Sequence, residues 1–101
     1  MSKQKNLEQT RIEVSIIIIS YNVKKILIQC IESILFHTNK TFKYEIIVVD
    51  NNSRDNTEKE VKENYPSINY IKNLKNSGFS KALNQAINES SGKYIFQLNP
   101  D

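Results

Sequence analysis

Four short polar segments carry most of the groups that could do chemistry in this chain. They are "SYN" (Ser20 to Asn22), "DNNS" (Asp50 to Ser53), "KNSG" (Lys75 to Gly78) and "NPD" (Asn99 to Asp101). Between them they offer hydroxyls, carboxamides, carboxylates and one aromatic ring, Tyr21. A carboxylate such as Asp50 can accept two hydrogen bonds, as a base or a ribose would donate them. It could equally cap the loop that follows it. Tyr21 could lie flat on a nucleobase or cover the end of a sheet. Asn84 is either a solvated helical residue or a ligand contact. Asp101 presents the hard oxygen ligands that Mg²⁺ or Mn²⁺ favours, usually shared with substrate phosphates.

Composition removes several other chemistries. Cys30 is the only cysteine and His37 the only histidine, so an internal disulfide and Cys/His metal clusters are ruled out by count. Cys30 falls on an apolar helical stripe and reads as a small buried hydrophobe. With two glycines in all, Gly78 and Gly92, neither standard Gly-rich phosphate loop is possible. The net charge of +3 comes from lysines spread along the chain. No basic run interleaved with aromatics is present, which argues against nucleic acid, while a mild excess suits an anionic small ligand. The longest apolar run, Ile16 to Ile19, is far too short to span a bilayer or form a signal core. A cytoplasmic protein is the expectation.

These segments need elements to position them. At 101 residues the chain is one domain at most. Met1 to Glu13 is polar and aperiodic and reads as a flexible leader. "VSIIII" and "YEIIVVD" are near-continuous β-branched runs, the mark of strands buried on both faces. Between them Leu27, Cys30, Ile31, Ile34 and Leu35 share one face of a helix spanning about Lys24 to His37. Asp55, with Glu58 three residues on, predicts a capping box opening a second helix, which stops before Pro66. "INYIKN" reads as a short edge strand. Phe79, Ala82, Leu83, Ala86 and Ile87 share a face of a third helix, with Gly92 as its C′ stop. Gly78 is expected to supply positive φ before that helix. "KYIFQL" is the fourth strand.

The order β-α-β-α-β-α-β predicts a three-layer α/β/α domain with a mostly parallel sheet. The expected strand order is 3-2-1-4, with strands 1 to 3 stepping one way and strand 4 returning beside strand 1. All strand C-termini then lie along one edge, where such sheets bind ligands. The four polar segments all follow strands, so they converge there. Tyr21 and Asp101 flank the switch point, and Asp50 is one strand over.

The set "VSIIIISYN", "EIIVVDNNSRDNT", "NSGFSKALNQAI" and "GKYIFQLNPD" resembles the donor-binding half of family 2 glycosyltransferases of the GT-A fold. It is most similar to their rhamnosyltransferase-like subgroup. The resemblance runs over residues 14–101 in the family's order and spacing. It implies a nucleotide-diphosphate-sugar donor, contacted by Ser20, Tyr21, Asp50, Asn84 and Asn99. It also implies a divalent metal, Mg²⁺ or Mn²⁺, held by Asp101 only when the nucleotide-sugar is bound. The chain departs from the family at Asn99, where the first acid of the Asp-x-Asp segment is neutral, and at Leu83, where many relatives carry Arg. The family's acceptor site and catalytic base follow that segment, so the resemblance implies a truncated domain, inactive alone, whose acceptor in the full enzyme is a glycan or a lipid-linked molecule near a membrane. The rival readings are a non-catalytic nucleotide-binding module and a module self-associating into a homo-oligomer through an uncovered sheet edge. A receiver-like signalling domain is disfavoured, because no acid follows the first strand.

Overall fold

The computed structural model describes residues 11–38 and 42–100. Four strands, β1 (Val14–Ser20), β2 (Tyr44–Asp50), β3 (Asn69–Lys72) and β4 (Tyr94–Gln97), alternate with three helices, α1 (Lys24–His37), α2 (Thr57–Asn64) and α3 (Phe79–Glu89). The sheet has the order β3-β2-β1-β4, as the sequence predicts, and every pair is parallel.

The β-branched runs explain why β1 and β2 lie at the centre. Their residues alternate between the sheet faces, and both faces are covered. Ile16, Ile18, Ile46 and Val48 pack against Leu27, Ile31 and Ile34 of α1 and Val61 of α2. Ile17, Ile47 and Val49 pack against Ala82 and Ala86 of α3. The methyl side chains of those alanines let α3 lie close to the strands. The layers are therefore α1 and α2, the sheet, then α3.

Two local expectations are corrected. Asp55 does not cap α2, whose N-cap is Asn56 in a left-handed conformation (φ 66°) with no side-chain cap bond. Gly92 is not a C′ residue of α3: the helix caps at Ser90 in extended geometry, and Gly92 does not have positive φ. Gly92 is needed for close approach instead. Its N–H donates to Ser15 Oγ at 2.8 Å, and an added Cβ would stand 2.5 Å from Ser15 N and 2.9 Å from Val14 C. Phe79 and Ile87 belong to the apolar face read from the sequence and are 50% and 40% exposed. α3 seats Ala82 and Ala86 on β1 and β2, which leaves these two larger side chains at the margins of the contact. Gly78, at φ 85° before α3, matches its expected role.

The ends of the sheet differ. β3 is short and half-exposed on one edge. On the other edge β4 leaves Tyr94, Ile95 and Phe96 exposed. Ile12 and Glu13 lie within the stretch read as a leader, yet their carbonyls accept the N–H groups of Lys93 and Tyr94. Residues 1–10 of that stretch lie outside the described residues.

The Gly92 contact can be tested. Gly92→Ala forces backbone out of register at the start of β1 and is expected to cost about 1–3 kcal/mol, read as a lowered urea midpoint at unchanged m-value.

Candidate functional site

Ser20, Asp50 and Lys72 end their strands in one row across the sheet, paired Ser20 to Asp50 and Asp50 to Lys72. They sit on the face that carries Ile16, Ile18 and Val48, under the loop that joins β2 to α2. Asp50 is completely buried. A buried carboxylate has to be paired and hydrogen-bonded, and this one is. Oδ1 accepts the Ser53 N–H at 2.7 Å. Oδ2 accepts the Tyr70 hydroxyl and lies 3.5 Å from Lys72 Nζ. Lys72 also donates to the Ser53 carbonyl at 2.7 Å. Burial, followed by the hydrogen bond to Asp50, pushes the Tyr70 hydroxyl well above the ordinary phenol value, so it remains a donor.

Of the two sequence readings of Asp50, the structure therefore displays the loop cap. Its carboxylate faces inward, closes the turn over residues 50–53 and presents no exposed oxygen to a ligand. Ser20 is also buried, and its hydroxyl has no hydrogen-bond partner among the described residues. Tyr21 is the residue of this group that reaches solvent, at 48% exposed.

Tyr21 rides on a turn that is bonded to the β2–α2 loop at several points. Asn51 N–H donates to the Ser20 carbonyl at 2.9 Å. Asn22 N–H donates to Ser53 Oγ at 2.8 Å, and Arg54 N–H donates back to Asn22 Oδ1 at 2.8 Å. Asp55 Oδ2 accepts the Lys24 N–H at 3.1 Å. The carboxylate predicted to cap α2 thus caps the first turn of α1, where no side chain of that segment does so and where negative charge is favoured. Asp55 also accepts the Thr57 hydroxyl. Burial pushes the Asp55 carboxyl up, but the bonds from Thr57, Lys24 and local backbone outweigh it and hold the carboxyl below its ordinary value.

On the α3 side the same loop is tied to the β3–α3 connection. Asn51 Nδ2 donates to the Gly78 carbonyl at 3.2 Å, and its Oδ1 accepts Asn73 Nδ2 at 3.0 Å and Ser77 Oγ at 3.3 Å. Gln85 of α3 donates to Asn73 Oδ1 at 2.9 Å. Asn84, next along the helix, opens onto a groove of about 610 Å³ with Asn73, Lys75, Ser77, Lys81 and Asn88. None of Ser20, Tyr21, Asp50 or Asn99 lines that groove, so the structure does not bring Asn84 together with them.

After β4, the Leu98 N–H donates to the Ile17 carbonyl at 2.8 Å and extends the ladder by one residue. Asn99 is exposed, and its Oδ1 accepts Gln97 Nε2 at 2.9 Å. Asp101 lies outside the described residues. Among the described residues no group of three His, Cys, Asp or Glu could hold a metal ion. The neutral oxygen of Asn99 is a fitting but weak ligand for a hard cation.

Residues 15–101 match the family model described as glycosyl transferase family 2. The chain belongs to that family. Among curated relatives, an uncharacterised glycosyltransferase of Methanocaldococcus jannaschii is 39% identical over 92 residues, covering 87% of this chain and 31% of its own length. Chondroitin synthase of Escherichia coli is 36% identical over 91 residues, covering 87% of this chain but 13% of its own length. This chain thus spans less than a third of either relative. Among solved structures, a mannosyltransferase from Pyrobaculum calidifontis, in complex with GDP-Man and Mn²⁺, superposes with a TM-score of 0.79 at 25% identity, covering 90% of this chain and 28% of that one. A TarS fragment from S. aureus in complex with UDP-GlcNAc gives 0.77 at 26% identity, covering 89% and 27%. The GT-A glycosyltransferase fold is therefore that of the family 2 domain described here.

Asn22, Asn51, Tyr70 and Lys72 organise this edge and were not singled out from the sequence. Tyr70 and Lys72 had a signal: two residues apart on a strand, they share a face, and register decides that it is the face of Asp50.

The Asp55 cap predicts a pH dependence. Its folded-state value lies below the ordinary one of 3.8, so its stabilisation is complete above that pH and is lost as pH falls through the folded value. Asp55→Ala is expected to cost about 1 kcal/mol at pH 7. Urea unfolding should show the gap from the native chain closing as pH drops below 3.8.

Proposed function

We propose that this chain is the donor-binding part of a glycosyltransferase that moves a sugar from a nucleotide-diphosphate-sugar to a glycan or lipid-linked acceptor. The observation that carries the reading is the exposed ring of Tyr21, held at the C-terminal edge of a parallel sheet by bonded loops, in a chain whose structural neighbours include complexes with GDP-Man and UDP-GlcNAc. In this reading the Tyr21 ring stacks on the base, and Asn99 hydrogen-bonds the ribose. Ser20 and Asp50 contribute from beneath by shaping the loops. Asn84 contributes to the adjoining groove rather than to the base contact. The placement in the rhamnosyltransferase-like subgroup rests on the sequence motifs and on a neutral Asn99.

A divalent metal, Mg²⁺ or Mn²⁺, would arrive with the donor and neutralise its diphosphate. Asp101 would hold it from the protein side, with Asn99 beside it. This chain offers too few carboxylates at that point to retain the ion without nucleotide.

Transfer forms a bond between the acceptor oxygen and the anomeric carbon and breaks the bond from that carbon to the diphosphate. The acceptor proton must pass to a base. Asp50 and Asp55 are both committed to loop hydrogen bonds, so neither is suited to that task. We assign the base and the acceptor site to sequence that the longer relatives carry and this segment does not. On that assignment the segment alone binds donor without turning it over. No helix among the described residues is long and apolar enough to cross a membrane. The exposed flank of β4 is the surface that favours the second reading, self-association.

Titration with UDP, dTDP and GDP tests the reading. At least one nucleotide is expected to shift the amides of Tyr21, Asn22 and the 51–53 loop at millimolar concentration or below. Mn²⁺ is expected to broaden residues 99–101 only when nucleotide is present. No shift near Tyr21 with any of the three sinks the proposal.

A further inference from the structure

We propose that Asn22 is a positioning residue for nucleotide recognition, its left-handed backbone and its carboxamide together locking the Tyr21 turn onto the loop at Ser53 and Arg54. The inference rests on the reading of Tyr21 as the base contact and asks what holds that ring in place.

Asn22 has φ 53°, a region that non-glycine residues rarely enter and that Asn tolerates best. That conformation turns the chain sharply between the end of β1 and the start of α1. It also points two groups of one residue at the same neighbouring loop. The N–H reaches Ser53 Oγ and the carboxamide oxygen accepts the Arg54 N–H, each at 2.8 Å. The partners lie 31 and 32 residues away in sequence, so the pair couples two separate connections. Ser53 is itself fixed, because its N–H is held by buried Asp50 and its carbonyl by Lys72. The clamp therefore runs from the interior of the sheet, through Ser53, to the residue beside Tyr21. Asn22 is exposed, so a core-packing role does not account for it.

A ring presented by a loop with several conformations binds with an affinity reduced by the fraction of time it is correctly placed. Asn22→Gly isolates the effect. Glycine adopts the same φ without strain and keeps the N–H to Ser53, but removes the acceptor for Arg54. Asn22→Asp keeps both the acceptor and tolerance of the left-handed region. Ser53→Ala removes the clamp from the other side.

The test has a ligand-free and a ligand-bound arm, both on the full chain. Without ligand, Asn22→Gly and Ser53→Ala are expected to lower the ¹⁵N order parameter of the Tyr21 amide while β1 stays at its native value. With the nucleotide that binds the native chain best, both variants are expected to weaken affinity about three- to tenfold, as loss of one net hydrogen bond implies, and Asn22→Asp to stay within about twofold of native on the same scale. A Tyr21 order parameter unchanged in both variants overturns the inference whatever the nucleotide does. So does lowered order with native affinity. If the native chain binds no nucleotide while the order parameter still falls, the clamp stands and it is the nucleotide reading of Tyr21 that fails. Should Asn22→Gly not fold, Ser53→Ala alone decides between these outcomes.

Discussion

The C-terminal edge of the sheet depends on one buried carboxylate. Asp50 ends a central strand and has no exposed surface of its own, and a charge in that position is tolerable only if its surroundings are organised around it. Tyr70, Ser53 and Lys72 are that organisation. Meeting the demand fixes the turn after β2. The turn carries Ser53 and leads into Asp55, and those two residues fasten the turn after β1 and the first turn of α1. On the other side of the same turn Asn51 fastens the connection before α3. Three loops that are distant in sequence are thus ordered by the need to satisfy one group. Lys72 keeps 26% of its side-chain surface exposed, so its ammonium stays partly hydrated while it faces the buried carboxylate.

The sheet itself was legible from the residues. Continuous β-branched runs in "VSIIII" and "YEIIVVD" require cover on both faces, and the helices between them supply apolar stripes of the right period. Strand order, helix extents and the convergence of polar segments on one edge follow from that pattern. What could not be read was which polar group serves which partner. Asp55 has the local spacing of a capping box, yet its carboxylate is spent on a helix that begins 31 residues earlier. A local motif loses here to a tertiary contact of equal chemistry and better placement. Asp50 illustrates the same limit: its type admits both a ligand contact and a loop cap, and the cap becomes visible only with the register of Lys72 and the position of Tyr70. For Gly92 the relevant neighbour is Ser15, far away in sequence, so a helix-stop reading was the natural one.

The two ends of the nucleotide-sugar site proposed here differ in how they are built. The base end, at Tyr21, stands on loops bonded to one another and to a buried group. The diphosphate end, after β4, stands on a four-residue strand with one partner, β1, and with Tyr94, Ile95 and Phe96 exposed. Its polar residue, Asn99, finds its described hydrogen bond within its own segment. Local stability follows buried apolar contact and backbone cover, so the base end is the more rigid of the two. A donor meeting this domain would then find its base site formed before its phosphate site. Ordering of the second site would fall to whatever packs on the β4 flank, together with the metal that the diphosphate brings. The neutral Asn99 fits that division, because an end that is completed by partners need not carry the full charge for holding a cation by itself.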